Sequence, residues 1–151
     1  MERQKEKQRI CNLLKDYFKV KAQGYNIVLV FLYGSWAAGL AGKDSDIDIA
    51  IMIEGEKSEE EIFSTINSIT LELLDNLKRD ITILYIDNDI SKPLLHYNAI
   101  VKGIPVYISD FYRYVDVWLK AIDAMEDFSI FGIKWKLEVT EKRMKDLYNA
   151  V

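Results

Sequence analysis

Three observations predict an α/β fold for this chain of 151 residues. Segments of helical and strand periodicity alternate along its first two thirds. Half of its residues are apolar, enough for a core of its own. Its apolar runs are short and bounded by glycine, proline or charged residues, as buried strands are.

Ile10, Leu13, Leu14, Tyr17 and Phe18 recur at helical spacing, which predicts an amphipathic helix near residues 3–21 closed by Gly24. The run Ile27-Val-Leu-Val-Phe-Leu-Tyr33 is apolar, rich in β-branched and aromatic residues, and reads as a buried strand. Gly34 ends it, and Trp36–Leu40 is expected to form a helical turn. Asp46-Ile-Asp-Ile-Ala-Ile-Met-Ile53 alternates as a second strand. Ser58-Glu-Glu-Glu61 is a capping box opening a helix whose stripe is Ile62, Ile66, Ile69, Leu73 and Leu77. A third strand spans Asp80–Ile86, a short helix lies near Pro93–Val101, and Ile104-Pro-Val-Tyr-Ile108 is an edge strand because Pro105 cannot donate to a ladder. Periodicity does not say which strands run parallel. Two further helices are expected at about 110–126 and 130–149, separated by Asp127-Phe-Ser129, with Ser109 or Asp110 and Ser129 as N-caps. Each carries an apolar stripe, and aromatic residues such as Tyr112, Tyr114 and Trp135 lie beside it. The pair is expected either to pack on the core or to face a partner protein.

The formal net charge of −4 argues against a general nucleic-acid-binding surface. The single cysteine, Cys11, excludes an internal disulfide framework and a Cys-based zinc site, and falls on the apolar side of its helix as a core residue. The first nine residues are too charged for a signal peptide, and no run approaches the ~20 apolar residues of a membrane helix, so a cytoplasmic protein with no membrane partner is expected.

Chemistry concentrates in Gly34-Ser35 and, ten residues on, Asp46-Ile-Asp48. Gly34 lets the backbone turn sharply and gives a ligand access to the main chain. Ser35 offers a hydroxyl and an N–H to phosphate. Asp46 and Asp48 are two residues apart on a strand and project to one face, where two carboxylates repel each other unless a cation lies between them. Hard oxygen ligands of this kind suit Mg²⁺ or Mn²⁺. Asp80 heads the next strand and lands beside the pair if the two strands are neighbours. The plain alternatives are a polar strand edge for Asp46 and Asp48, and a strand-entry residue for Asp80. His96, the single histidine, has no acidic partner at metal spacing and reads as structural or exposed.

Gly-Ser, ten residues, Asp-x-Asp and a later Asp at a strand head resemble the DNA polymerase beta-like nucleotidyltransferase superfamily, and most closely its minimal nucleotidyltransferase (MNT) members, over residues 10–108. The resemblance implies a mixed β-sheet with helices, a nucleotidyltransferase core over residues 1–108, and a C-terminal helical extension over 109–151. It also implies two bound divalent ions, Mg²⁺ or Mn²⁺, held by Asp46, Asp48 and Asp80 as metal-binding and catalytic residues. Gly34 and Ser35 would bind the triphosphate of ATP. Many members place arginine after Gly-Ser, whereas this chain has Trp36; Lys43, Lys78 or Arg79 could replace that charge, or lie on solvated surface. The implied activity is transfer of AMP to an acceptor hydroxyl. For small MNT proteins that hydroxyl is a tyrosine of a HEPN toxin, which makes the chain an antitoxin. A non-catalytic toxin-binding module and an aminoglycoside-type adenylyltransferase are the other readings, and a homo-oligomer is left open.

Overall fold

The computed structural model describes residues 1–150. Helix α1 (Glu2–Lys21) leads through a single 3₁₀ turn, Gln23–Tyr25, into strand β1 (Ile27–Tyr33). Helix α2 (Gly34–Ala38), strand β2 (Ile47–Ile53), helix α3 (Glu59–Leu77), strand β3 (Ile81–Tyr85), helix α4 (Pro93–Ile100), strand β4 (Ile104–Ile108) and helix α5 (Phe111–Ala150) follow. The strands form one mixed sheet in the order β3-β2-β1-β4. β1 runs antiparallel to both β2 and β4, and β2 runs parallel to β3. The expected mixed α/β fold is therefore present, with β4 and its Pro105 on the sheet edge.

Both sheet faces are covered, which explains why β1 is apolar without alternation. On one face α1 and α3 pack through Ile10, Leu14, Phe18, Ile69, Leu73 and Leu77 against Val30, Leu32, Ile47, Ile49 and Ile51. Cys11 is buried in the same layer. The hydroxyl of Tyr17 on α1 donates to the carboxylate of Glu72 on α3, tying the two helices together. On the opposite face α4 and the first part of α5 place Ala99, Ile100, Val117 and Ala121 over Leu29, Phe31, Ala50 and Met52. Ser58 caps α3 by accepting a hydrogen bond from the Glu61 N–H at 3.1 Å.

The expected C-terminal helical pair is instead one continuous helix of 40 residues. Asp127, Phe128 and Ser129 each disfavour a helix interior by only some tenths of a kcal/mol relative to alanine, and Gly132 by about 1 kcal/mol. The segment contains no proline, and no residue in it takes a positive φ to start a reversal. Val117 and Ala121 bury its first part, whereas Ile130, Ile133, Trp135, Leu137, Met144 and Leu147 are exposed along the second.

His96 is fully buried, its Nε2 3.3 Å from the Tyr85 carbonyl oxygen and 3.6 Å from Asp87 Oδ1. It is a structural residue between α4 and the end of β3. Burial works to raise the Asp87 carboxyl, but hydrogen bonds from the Ser91 hydroxyl and N–H, and the charge of His96, hold it below its ordinary value of 3.8. A carboxylate depressed in the folded state stabilises the fold fully above its unfolded pKa and loses that contribution as pH falls through the folded value. In urea titrations against pH, the stability gap between wild type and Asp87→Asn is expected to be constant above about pH 5 and to narrow below pH 4.

Candidate active site

The two antiparallel pairings of β1 and the parallel β2–β3 pairing bring one end of every strand to the same edge of the sheet. Tyr33 at the end of β1 pairs with Asp48 near the start of β2, Leu32 pairs with Ile104 at the start of β4, and Ile47 pairs with Ile81 at the start of β3. Asp48 lies on the face that carries Ala50 and Met52, while Ile47, Ile49 and Ile51 fill the α1–α3 layer. Strand alternation is observed from Ile47 onward; Asp46 precedes the ladder, with its charge near enough to act on Asp48.

Gly34 occupies a left-handed conformation with φ +72°, and a Cβ built there would stand 2.3 Å from Asp48 Oδ2. The left-handed turn favours glycine at this position, and the Asp48 carboxylate occupies the space a side chain would fill. Ser35 follows as the second residue of α2, partly exposed. Burial first, and the neighbouring charge of Asp46 second, raise the Asp48 carboxyl above its ordinary value. Asp48 in turn adds to burial in raising the Tyr33 hydroxyl.

Asp80 is level with Asp46 across the parallel ladder, its carbonyl oxygen accepting a 2.9 Å hydrogen bond from the Ile47 N–H. Its exposed side chain lines a shallow cleft with Asp44, Ser45, Lys78 and Arg79. Among the described residues, no three His, Cys, Asp or Glu side chains form a group able to hold a metal ion. The structure therefore joins Asp46 to Asp48 and sets Asp80 one strand away. As oxygen donors, the Asp46 and Asp48 carboxylates are of the chemistry that a hard divalent cation takes.

Arg79 is partly buried and engaged within the protein. Its guanidinium lies 5.0 Å from the Trp36 ring centroid, donates to the Lys43 carbonyl oxygen, and reaches Glu6 Oε1 at 3.4 Å. Trp36 is buried, and its Nε1 donates to the Ser45 carbonyl oxygen at 3.2 Å. The residue after Gly-Ser thus fastens the loop before Asp46. Lys43 and Lys78 are exposed, and Lys78 pairs with Asp75 at 3.3 Å.

The sequence model of a family described as polymerase beta, nucleotidyltransferase matches residues 12–112. The chain belongs to this nucleotidyltransferase family. No curated protein matches it. Among solved structures, this nucleotidyltransferase is similar to a chain of a toxin–antitoxin complex with AMP-PNP, at 15% identity and TM-score 0.60, with 84% of this chain and 96% of that chain covered. It is also similar to a chain of the complex between tri-AMPylated Shewanella oneidensis HEPN toxin and MNT antitoxin, at 16% identity and TM-score 0.53, covering 92% and 97%. A chain of the MntA–HepT toxin–antitoxin complex matches at 14% identity and TM-score 0.57, covering 86% and 97%. At these identities the likeness is one of fold. No helix among the described residues of the nucleotidyltransferase is long and apolar enough to cross a membrane.

Two residues brought beside the Gly-Ser turn carry no motif in the sequence. A cleft of about 350 Å³ beside Gly34 and Ser35 is also lined by Asn98 of α4 and by Lys102. Their proximity to the Gly-Ser turn follows from strand pairing between segments about seventy residues apart in the chain, which no local periodicity signals.

Proposed function

We propose that this nucleotidyltransferase transfers AMP from ATP to an acceptor hydroxyl, and that the acceptor is a tyrosine of a HEPN-type toxin, which makes the chain its antitoxin. The observation that carries this reading is the packing of the Asp48 carboxylate against the Cβ-free face of Gly34, with Asp46 beside it. Carboxylates for a cation and a turn for phosphate thereby occupy one sheet edge. The toxin–antitoxin complexes of the same fold support the choice of acceptor.

In this reading Asp46 and Asp48 hold Mg²⁺, or Mn²⁺, in a site able to take two ions. Such ions supply charge stabilisation at the triphosphate and a lower pKa for the attacking hydroxyl. Gly34 and Ser35 orient the β and γ phosphates. Asp80, exposed across the ladder from Asp46, faces the acceptor side and takes up the hydroxyl proton. Residues 1–108 form the catalytic core. The exposed stripe of α5 formed by Ile130, Ile133, Leu137, Met144 and Leu147 is the docking face for the toxin.

The test is to incubate the protein with ATP, Mg²⁺ and a purified HEPN toxin, with mass spectrometry of the toxin as readout. One added AMP unit or more, absent when Mg²⁺ is chelated, is the expected result. An unchanged mass despite demonstrated complex formation would overturn the transfer reading in favour of neutralisation by binding alone. Transfer to an aminoglycoside but not to the toxin would favour the small-molecule reading. Ile133→Glu with Leu137→Glu is expected to leave the melting temperature unchanged, since both side chains are about 60% exposed, while weakening toxin binding by on the order of a hundredfold.

A further inference from the structure

We propose that Lys102 is the cation that binds the terminal phosphates of the nucleoside triphosphate, an inference resting on the nucleotide-transfer reading above. It stands on topology, on the composition of the cleft, and on what the neighbouring cations are doing.

The β1–β4 register sets Leu32 against Ile104. Two residues beyond Leu32 is Gly34; two residues before Ile104 is Lys102. The Gly-Ser turn and Lys102 therefore leave neighbouring strands at the same end. Because α4 covers the sheet face that bears Asp48, Lys102 at the close of α4 belongs to the carboxylate side of the sheet. The corner that carries it is fixed. The Lys102 N–H donates to the Tyr97 carbonyl oxygen at 3.3 Å, and a Cβ on Gly103 would fall 2.1 Å from the Ala99 carbonyl oxygen and 3.0 Å from that of Leu32. Only glycine allows α4 to end this close to β1, which holds the lysine backbone at the mouth of the cleft.

Tyr33, Gly34, Ser35, Leu40, Asn98 and Lys102 line that cleft, and Lys102 is the one charged residue in its lining among the described residues. A triphosphate brought here meets the Asp46–Asp48 pair nearby and needs positive charge beyond the metal. Other cations around α2 are engaged elsewhere. Lys7 Nζ donates to the Ala37 carbonyl oxygen at 3.0 Å, and Arg79 is held by Glu6, the Lys43 carbonyl and the Trp36 ring. Among the described residues Lys102 makes no ion pair; its Nζ rests 5.9 Å from the Tyr97 ring centroid, a weak contact that leaves its ammonium donors available.

The experiment is calorimetric titration of ATP and of AMP, each with Mg²⁺, into wild type, Lys102→Ala, Lys102→Arg and, as an exposed lysine outside the cleft, Lys57→Ala. Lys102→Ala is expected to weaken ATP on the order of tenfold or more, as for loss of a charge-assisted contact, while changing AMP by less than about twofold. Lys102→Arg should retain most ATP affinity, and Lys57→Ala should match wild type. Metal-dependent ATP binding by wild type that Lys102→Ala leaves intact would overturn the role of Lys102 and spare the nucleotide reading. An equal loss for ATP and AMP would also overturn it, since the contact would then not be to the terminal phosphates. Absence of ATP binding by wild type would overturn the nucleotide reading itself, and Lys102 with it.

Discussion

Asp48→Ala is expected to abolish measurable AMP transfer, with a fall of about 10³-fold, while the protein remains folded. The magnitude follows from the chemistry assigned to the pair: a correctly held cation contributes several kcal/mol of transition-state stabilisation, and each 1.36 kcal/mol is tenfold in rate. The direction of the stability change distinguishes this loss from unfolding. In the metal-free protein Asp48 is partly buried beside the like charge of Asp46, and both effects raise its carboxyl. Removing it relieves repulsion and desolvation together, so the metal-free melting temperature should hold or rise. Transfer rates and thermal melts on the same preparation check both halves. A variant that loses activity and melts earlier would mean that Asp48 supports the fold more than the site.

Phe31→Ala is expected to have the largest effect on stability, about 3–5 kcal/mol. Phe31 is fully buried in a central strand and stacks on Tyr114 of α5 with ring centroids 5.9 Å apart. Its loss opens a cavity between two layers that close-packed neighbours on β1 and β2 cannot fill. In a domain of this size the melting temperature should drop by roughly 10 °C. Because the ring bridges the sheet and the C-terminal helix, exchange of α5 amide hydrogens near Tyr114 should quicken more than that of α3, which packs on the other face.

The legible parts of this chain were those written in local period. Asp48 points away from the layer filled by Ile47, Ile49 and Ile51 because strand alternation is strict, and a capping box followed by a 3.6-residue stripe marked α3 from Ser58 onward. The Gly-Ser turn was legible because glycine has few uses between an apolar strand and a serine. Two kinds of feature were not. The single span of α5 was hidden because Asp127, Phe128 and Ser129 resemble a cap, while a helix tolerates them at small energetic cost unless the chain has a surface to turn back onto. Arg79 on Trp36, and Lys102 opposite Gly34, arise from strand order and register between distant segments, so no sequence window contains both members. Asp80 stands between these cases: its strand and its neighbour β2 agree with expectation, and its side chain opens onto a cleft of its own.

The 40-residue α5 is about 60 Å long at 1.5 Å per residue, against a radius of gyration of about 15 Å for a compact chain of this length. A monomer with such a rod tumbles slowly and drags more solvent than its mass implies. On a gel-filtration column calibrated with spherical standards it would emerge early, in the place of a larger particle, so light scattering at the elution peak is the way to count its subunits.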